Sequence, residues 1–202
     1  MVTGSERLGG KRHGRPLPTQ GPALGRQRTL TLSNRQDVRR LDWRLLRQIV
    51  RRLLRQAWPG GSFDLAVHVL AAPEMTRLNE TFLRHRGPTD VLTFDYAKRA
   101  GQASRVSRAG APNRRSRDRR DACPTFLHGE IFVCLDEAVS QARRFHATWQ
   151  SELVRYVAHG LLHLLGYDDA NARARREMKA AEDNLVRELA RECDFSRLSR
   201  RG

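Results

Sequence analysis

Histidines at positions 159 and 163, followed six residues later by an aspartate at 169, are the residues in this sequence best suited to chemistry. Side chains at i and i+4 share one face of a helix, so both imidazoles converge on one point. The segment reads His159-Gly160-Leu161-Leu162-His163-Leu164-Leu165-Gly166-Tyr167-Asp168-Asp169. Gly166 stops the helix and reverses the chain, and the spacing H-x3-H-x2-G-x2-D returns a carboxylate to the two rings. Two histidines and one carboxylate can hold a single zinc ion and leave its fourth position open, as a catalytic site requires. Iron or manganese accept the same ligand types. A lone histidine on an apolar helix usually packs; two at this spacing, beside a Gly stop and an Asp pair, are hard to produce by packing alone. Asp169 is preferred to Asp168 as the third ligand. Asp168 is left to orient a histidine Nδ1–H or to cap the following helix. Tyr167 is expected to pack, the alternative being that it faces a substrate.

One absence narrows the chemistry. Zinc proteases read H-E-x-x-H, and the Glu deprotonates the water that attacks the substrate. Here that position is Gly160. A conventional metalloprotease is therefore disfavoured, and the base must come from elsewhere in the protein, from the substrate or from the ion itself.

The elements that position these residues follow from periodicity. Leu30 and Leu32 alternate with polar residues over Arg28–Ser33, which predicts a short strand. A helix is expected from about Leu41 to Trp58, with Leu45/Leu46, Ile49/Val50 and Leu53/Leu54 on one face and Arg44, Arg47, Arg51 and Arg55 on the other. That Arg face reads as a solvated surface, with an RNA platform as the alternative. Pro59-Gly60-Gly61 ends the helix, and Phe63–Leu70 is a strand. Ala72–Arg84 opens as a helix with Pro73 and Glu74 in its first turn. Strands follow at Val91–Phe94 and Gly129–Val133, then helices at Asp136–Phe145, Thr148–Leu165 and about Ala170–Cys193, the last with Met178, Leu185 and Leu189 as buried positions. Thr89, Asp90 and Thr93 are read as a turn, a cap and a sheet position. The expected fold is α/β or α+β, a single domain in which a sheet of about four strands packs with about five helices, the zinc-site helix at the centre.

Composition places the remainder. The chain has 202 residues, 39% of them hydrophobic, a low fraction that predicts unfolded segments beside one core. The formal charge of +16 is unevenly spread: residues 1–29 hold six basic against one acidic residue, 97–125 nine against two, and 196–202 three against none. Residues 1–28 are accordingly expected as a disordered basic tail, 29–195 as the folded domain, 97–125 as a disordered basic insertion within it, and 196–202 as a basic C-terminal tail. Such charge favours phosphate backbones through counterion release, but it is also what an Arg-favouring genome writes into unconstrained segments. No apolar run approaches the ~20 residues of a membrane span. The basic N-terminus lacks a secretory apolar stretch, so the protein is expected in the cytoplasm, an Arg-rich transit peptide being the alternative. Cys123, Cys134 and Cys193 lack metal or disulfide spacing and are expected to be reduced thiols.

The metal segment resembles the signature of the YbeY family of bacterial endoribonucleases, H-G-x-L-H-L-x-G-Y-D-H, at every fixed position but the last, where Asp169 stands for His. Leu78-Asn79-Glu80-Thr81-Phe82 followed by Pro88-Thr89-Asp90-Val91-Leu92-Thr93-Phe94 is similar to the family's L-N-x-x-[YF]…P-T-[DN]-V-L-S-F block. Gly129-Glu130-Ile131-Phe132-Val133-Cys134 is similar to its G-[DE]-I-[VF]-[IV] strand. The resemblance runs from about Leu30 to Leu189. It implies an α+β domain with a four-stranded sheet, one zinc ion on His159, His163 and Asp169, and single-strand RNA cleavage. It also implies a role in 3′-end processing of small-subunit ribosomal RNA and in ribosome quality control, with the small ribosomal subunit as partner and no membrane. Two departures stand out. Asp169 adds a negative charge and should lower the Lewis acidity of the zinc. The Arg that family members carry after the aromatic of the second block is Leu83 here, so Arg84 and His85 become the candidate phosphate-steadying residues, although one helical position turns a side chain by about 100°. A ribosome-associated assembly factor with a mainly structural zinc is the alternative function.

Overall fold

The structure is a computed structural model that describes residues 27–97, 105–107 and 126–200. Five strands, five α-helices and a terminal 3₁₀ turn follow in the order β1 (Arg28–Arg35), α1 (Trp43–Ala57), β2 (Ser62–Leu70), α2 (Ala72–Leu83), β3 (Val91–Asp95), β4 (Arg105–Ser107), β5 (Phe126–Cys134), α3 (Leu135–Arg144), α4 (Trp149–Leu164), α5 (Ala172–Glu192) and the 3₁₀ turn Phe195–Leu198. The α+β expectation holds.

One sheet carries all strands in the order β1-β2-β5-β3-β4. β1, β2 and β5 run parallel, while β3 pairs antiparallel with β5 and with β4. Four of these strands are the expected ones, and β4 adds a three-residue fifth at the edge, inside the segment read as an insertion. The rest of that segment and the tail before residue 27 lie outside the described residues. At the other terminus residues 196–199 are not a tail. Leu198 is fully buried, its carbonyl accepts from Asp42 N at 2.9 Å, and Ser199 bridges to Leu41.

Strand alternation sends the two sides of the sheet into different cores. Leu65, Val67, Val69, Val91, Leu127, Ile131 and Val133 pack against α1, α3, α4 and α5. Leu70, Leu92, Phe94, Phe132 and Cys134 pack with Met75 of α2 on the opposite side. α1 buries Leu46, Ile49, Val50, Leu53 and Leu54, each stabilising the fold by roughly 1.5–3 kcal/mol relative to exposure. Of its arginines, Arg44, Arg51 and Arg55 are exposed, as expected for a solvated face, but Arg47 turns in to donate to Leu30 O at 2.7 Å. On α5 Met178 and Leu189 are buried as expected, whereas Val186 takes the place foreseen for Leu185, which is half-buried. Cys134 and Cys193 are buried free thiols. Among the described residues no helix is long and apolar enough to cross a membrane.

The seat of α4 on the sheet depends on Gly160. A β-carbon there would lie 2.6 Å from Ile131 Cγ2 and 3.2 Å from Thr93 Oγ1. Gly166, by contrast, has open space around it and a φ of +93°, so its constraint is conformational. We therefore expect Gly160→Ala to cost about 1–3 kcal/mol by overpacking, and Gly166→Ala about 1–2 kcal/mol by forcing an L-residue left-handed. Thermal unfolding of both variants checks this; a Gly160→Ala protein melting like the wild type would show that the helix does not need its close approach.

Candidate metal centre

α4 starts at Thr148, whose side chain accepts from Ser151 N, and buries Leu153, Val157, Gly160, Leu161 and Leu164. His159 and His163 flank that stripe. The helix closes with Gly166 N donating to His163 O and Tyr167 N to Leu162 O, both at 3.0 Å. Together with the left-handed Gly166 these two bonds make a Schellman motif, which reverses the chain just beyond the second histidine. Asp168 Oδ1 then accepts from Ala170 N at 3.1 Å, and Asn171 caps α5 by accepting from Arg173 N and Ala174 N. Asp169 lies between these two turns and is carried back onto α4.

Ligand atoms of His159, His163 and Asp169 all fall within 4.8 Å of one another. The two Nε2 atoms are 3.1 Å apart, and the rings stand at 85°. Their other nitrogens decide the protonation. His163 Nδ1 is 3.2 Å from the Tyr167 carbonyl, and His159 Nδ1 is 2.9 Å from Oε2 of Glu182. Burial alone would raise the Glu182 carboxyl, but hydrogen bonds from His159 and Arg155 and the charge of Lys179 hold it below the usual carboxylate range. It is ionised and, like the carbonyl, can only accept. In the neutral form of each ring Nδ1 therefore carries the proton and Nε2 offers a lone pair. Burial, and then the neighbouring His159, push His163 toward its neutral form. Two lone pairs at this separation repel unless a proton or a metal ion lies between them. Asp169, which is 7% exposed, has a buried Oδ1 with no hydrogen-bond partner among the described residues. One shared proton leaves that oxygen orphaned; one cation satisfies all three atoms. The donor set of two imidazoles and a carboxylate suits a divalent ion of the zinc type.

Of the expected site residues, the structure thus brings together His159, His163 and Asp169. Arg84 and His85 make no hydrogen bond or ion pair with them among the described residues. Arg84 ends α2 in a left-handed conformation with φ +56°, His85 follows in the loop to β3, and both are exposed without a side-chain partner among the described residues. Asp168 does not orient a histidine; it caps its own turn. Tyr167 does not pack into the core: the residue is 42% exposed, and its side chain has no ring or hydrogen-bond partner among the described residues. Thr93 is buried in β3 against Gly160, and Asp90 accepts from Val91 N at 2.9 Å. The missing protease Glu also has its reason, since position 160 faces Ile131 and Thr93 of the sheet and not the histidine pair.

The residue that sequence reading missed is Glu182. It is 4% exposed on α5 and bonded to Arg155 Nη1 at 2.7 Å and Lys179 Nζ at 3.1 Å as well as to His159. A signal existed: Met178, Glu182 and Leu189 share the buried stripe of α5, where a carboxylate needs a partner.

Comparison with known proteins adds a family. Residues 31–190 match the family model described as Endoribonuclease YbeY. A protein of that name from Salinibacter ruber is 30% identical over 157 residues, covering 78% of this chain and 89% of its own length. One from Chlorobium luteolum is 30% identical over 153 residues, covering 76% and 93%. A solution structure from Thermotoga maritima aligns with a TM-score of 0.49 at 25% identity, over 81% of this chain and 91% of the other.

Because three ligand atoms converge and one is otherwise orphaned, the purified protein should bind one divalent ion per chain. Asp169→Ala should weaken binding by more than the roughly 10–100-fold that loss of an outer partner costs. Competition against a chromophoric chelator measures this, and wild-type affinity in Asp169→Ala would remove Asp169 from the ligand set.

Proposed function

We propose, from the premise that the chain belongs to the Endoribonuclease YbeY family, that it is a zinc-dependent endoribonuclease cutting single-stranded RNA in ribosomal RNA maturation. The convergence of ligand atoms of His159, His163 and Asp169, with an Asp169 oxygen otherwise unpartnered among the described residues, carries this reading. When bound, the ion supplies Lewis-acid stabilisation to charge developing on a scissile phosphodiester. The protein's own part is positional: α4 and the Gly166 turn hold the ligands, and the Nδ1 contacts fix both rings. The His159 side chain keeps 18% of its surface exposed, so the cluster opens to solvent. Three protein ligands with an open side favour catalysis over a purely structural ion.

Tyr167 supports the single-strand preference. An exposed aromatic between two ligand positions offers a stacking face to an unpaired base, which a base held in a duplex cannot use. Arg84 and His85, both exposed, are proposed to steady a phosphate of the strand. The basic stretches of the sequence add salt-dependent affinity for the backbone. In the cell these properties suit a cytoplasmic enzyme of small-subunit ribosomal RNA 3′-end processing and ribosome quality control.

His159→Ala and His163→Ala should abolish cleavage of single-stranded RNA. Activity persisting in either, free of contaminating nuclease, would overturn the metal mechanism. Tyr167→Ala should weaken single-strand binding by about 1–3 kcal/mol, the worth of one base–aromatic stack, while Tyr167→Phe retains it. Equal binding by all three proteins would remove the stacking role. If the metal-ligand variants lost ribosome association while RNA processing by the wild type proved absent, the assembly role with a structural ion would take its place.

A further inference from the structure

Glu182 and Asp169 are the buried carboxylates among the described residues. Asp169 belongs to the cluster, whereas Glu182 comes from the middle of α5 and needs an explanation of its own. An ion buried this far is costly unless paired and hydrogen-bonded. Its two oxygens divide the work. Oε1 takes both cations, Arg155 Nη1 at 2.7 Å and Lys179 Nζ at 3.1 Å. Oε2 is left for His159 Nδ1 at 2.9 Å. The cations are themselves anchored from the far side by Asp183, at 2.6 Å to Arg155 and 3.1 Å to Lys179. A strut joining α4 to α5 would need only the Arg155 contact. The oxygen turned to the imidazole does something more.

We propose that Glu182 is a positioning residue for the metal centre. It holds the proton of His159 on Nδ1, fixes the ring plane so that Nε2 points at His163 and Asp169, and strengthens the ring as a ligand through its charge. Outer carboxylates behind ligating histidines act in this way and are worth 10–100-fold in metal affinity. Arg155 and Lys179 keep the carboxylate ionised and aimed, and α5 thereby becomes part of the site without contributing a ligand. The proposal rests on His159 being a ligand, so its test has one arm that needs no metal.

In metal-free protein, long-range proton–nitrogen correlation spectra should show a proton on His159 Nδ1 that Glu182→Ala loses or exchanges. In chelator competition, Glu182→Ala should bind zinc about 10–100-fold more weakly than wild type. Glu182→Gln, whose amide oxygen still accepts from Nδ1–H, should recover most of that loss. Asp183→Ala, which breaks ion pairs to Arg155 and Lys179 but leaves the Glu182 contact with His159, should lose clearly less zinc affinity than Glu182→Ala and controls for a merely structural effect. A bare Nδ1 in the wild type would overturn the proposal whether or not zinc binds. So would wild-type affinity in a folded Glu182→Ala protein, or an equal loss in Asp183→Ala. Failure of the wild type to take up zinc, with the Nδ1 proton in place, would instead count against the metal reading while leaving the Glu182–His159 coupling standing.

Discussion

Helix α4 and the sheet approach each other so closely that at two contacts one of them must give up its side chain to admit the other's. A β-carbon on Gly160 would strike Ile131, and one on Gly129 of β5 would come within 2.5 Å of Phe94 O and 2.7 Å of Leu164 Cδ2. The two glycines interlock helix and sheet from opposite sides. That seat fixes the rotation of α4 about its own axis, and with it the direction of His159 and His163, which are carried beside the sheet toward α5. The same contact bars a glutamate from position 160. The chain therefore has a two-histidine helix without the base that zinc proteases build into it, for a reason of packing as much as of chemistry.

Around the histidines the electrostatics differ sharply from those of the whole chain. A sequence of formal charge +16 surrounds its candidate ion with Asp169 as ligand and Glu182 behind His159. Each carboxylate favours the bound cation and reduces the positive field left for a phosphate. Arg155 and Lys179 offset the second of these, so that Glu182 can orient an imidazole without cancelling the ion's charge. The excess positive charge of the sequence lies mostly in stretches remote from this cluster in the chain.

What could be read from the sequence was whatever depends on local period or local stereochemistry. The i, i+4 pair, the left-handed Gly166 and the return of Asp169 are properties of one continuous segment, and they stand where spacing put them. Most strand and helix limits agree to within one or two residues for the same reason. Glu182 was not legible because its partner is on another helix; only tertiary packing brings α5 against His159. Residues 196–199 looked like a basic tail because one apolar residue, Leu198, makes no period, yet it fills a pocket by α1. Tyr167 was expected inside because aromatics usually are, and the tight reversal at Gly166 leaves it outside. Arg84 and His85 followed from sequence adjacency, which does not fix which way a helix end presents its side chains.

At the far end of the sheet, Tyr96 N and Ala97 N both donate to the carbonyl of His128, at 2.7 and 3.1 Å. The chain thus leaves β3 hydrogen-bonded to a peptide group two residues inside β5. Closing a loop whose ends are already pinned together costs an entropy that grows only logarithmically, about 0.6 kcal/mol for each doubling of its length. Sequence can therefore be gained or lost between β3 and β5, outside the three residues of β4, with little loop-closure penalty to the domain.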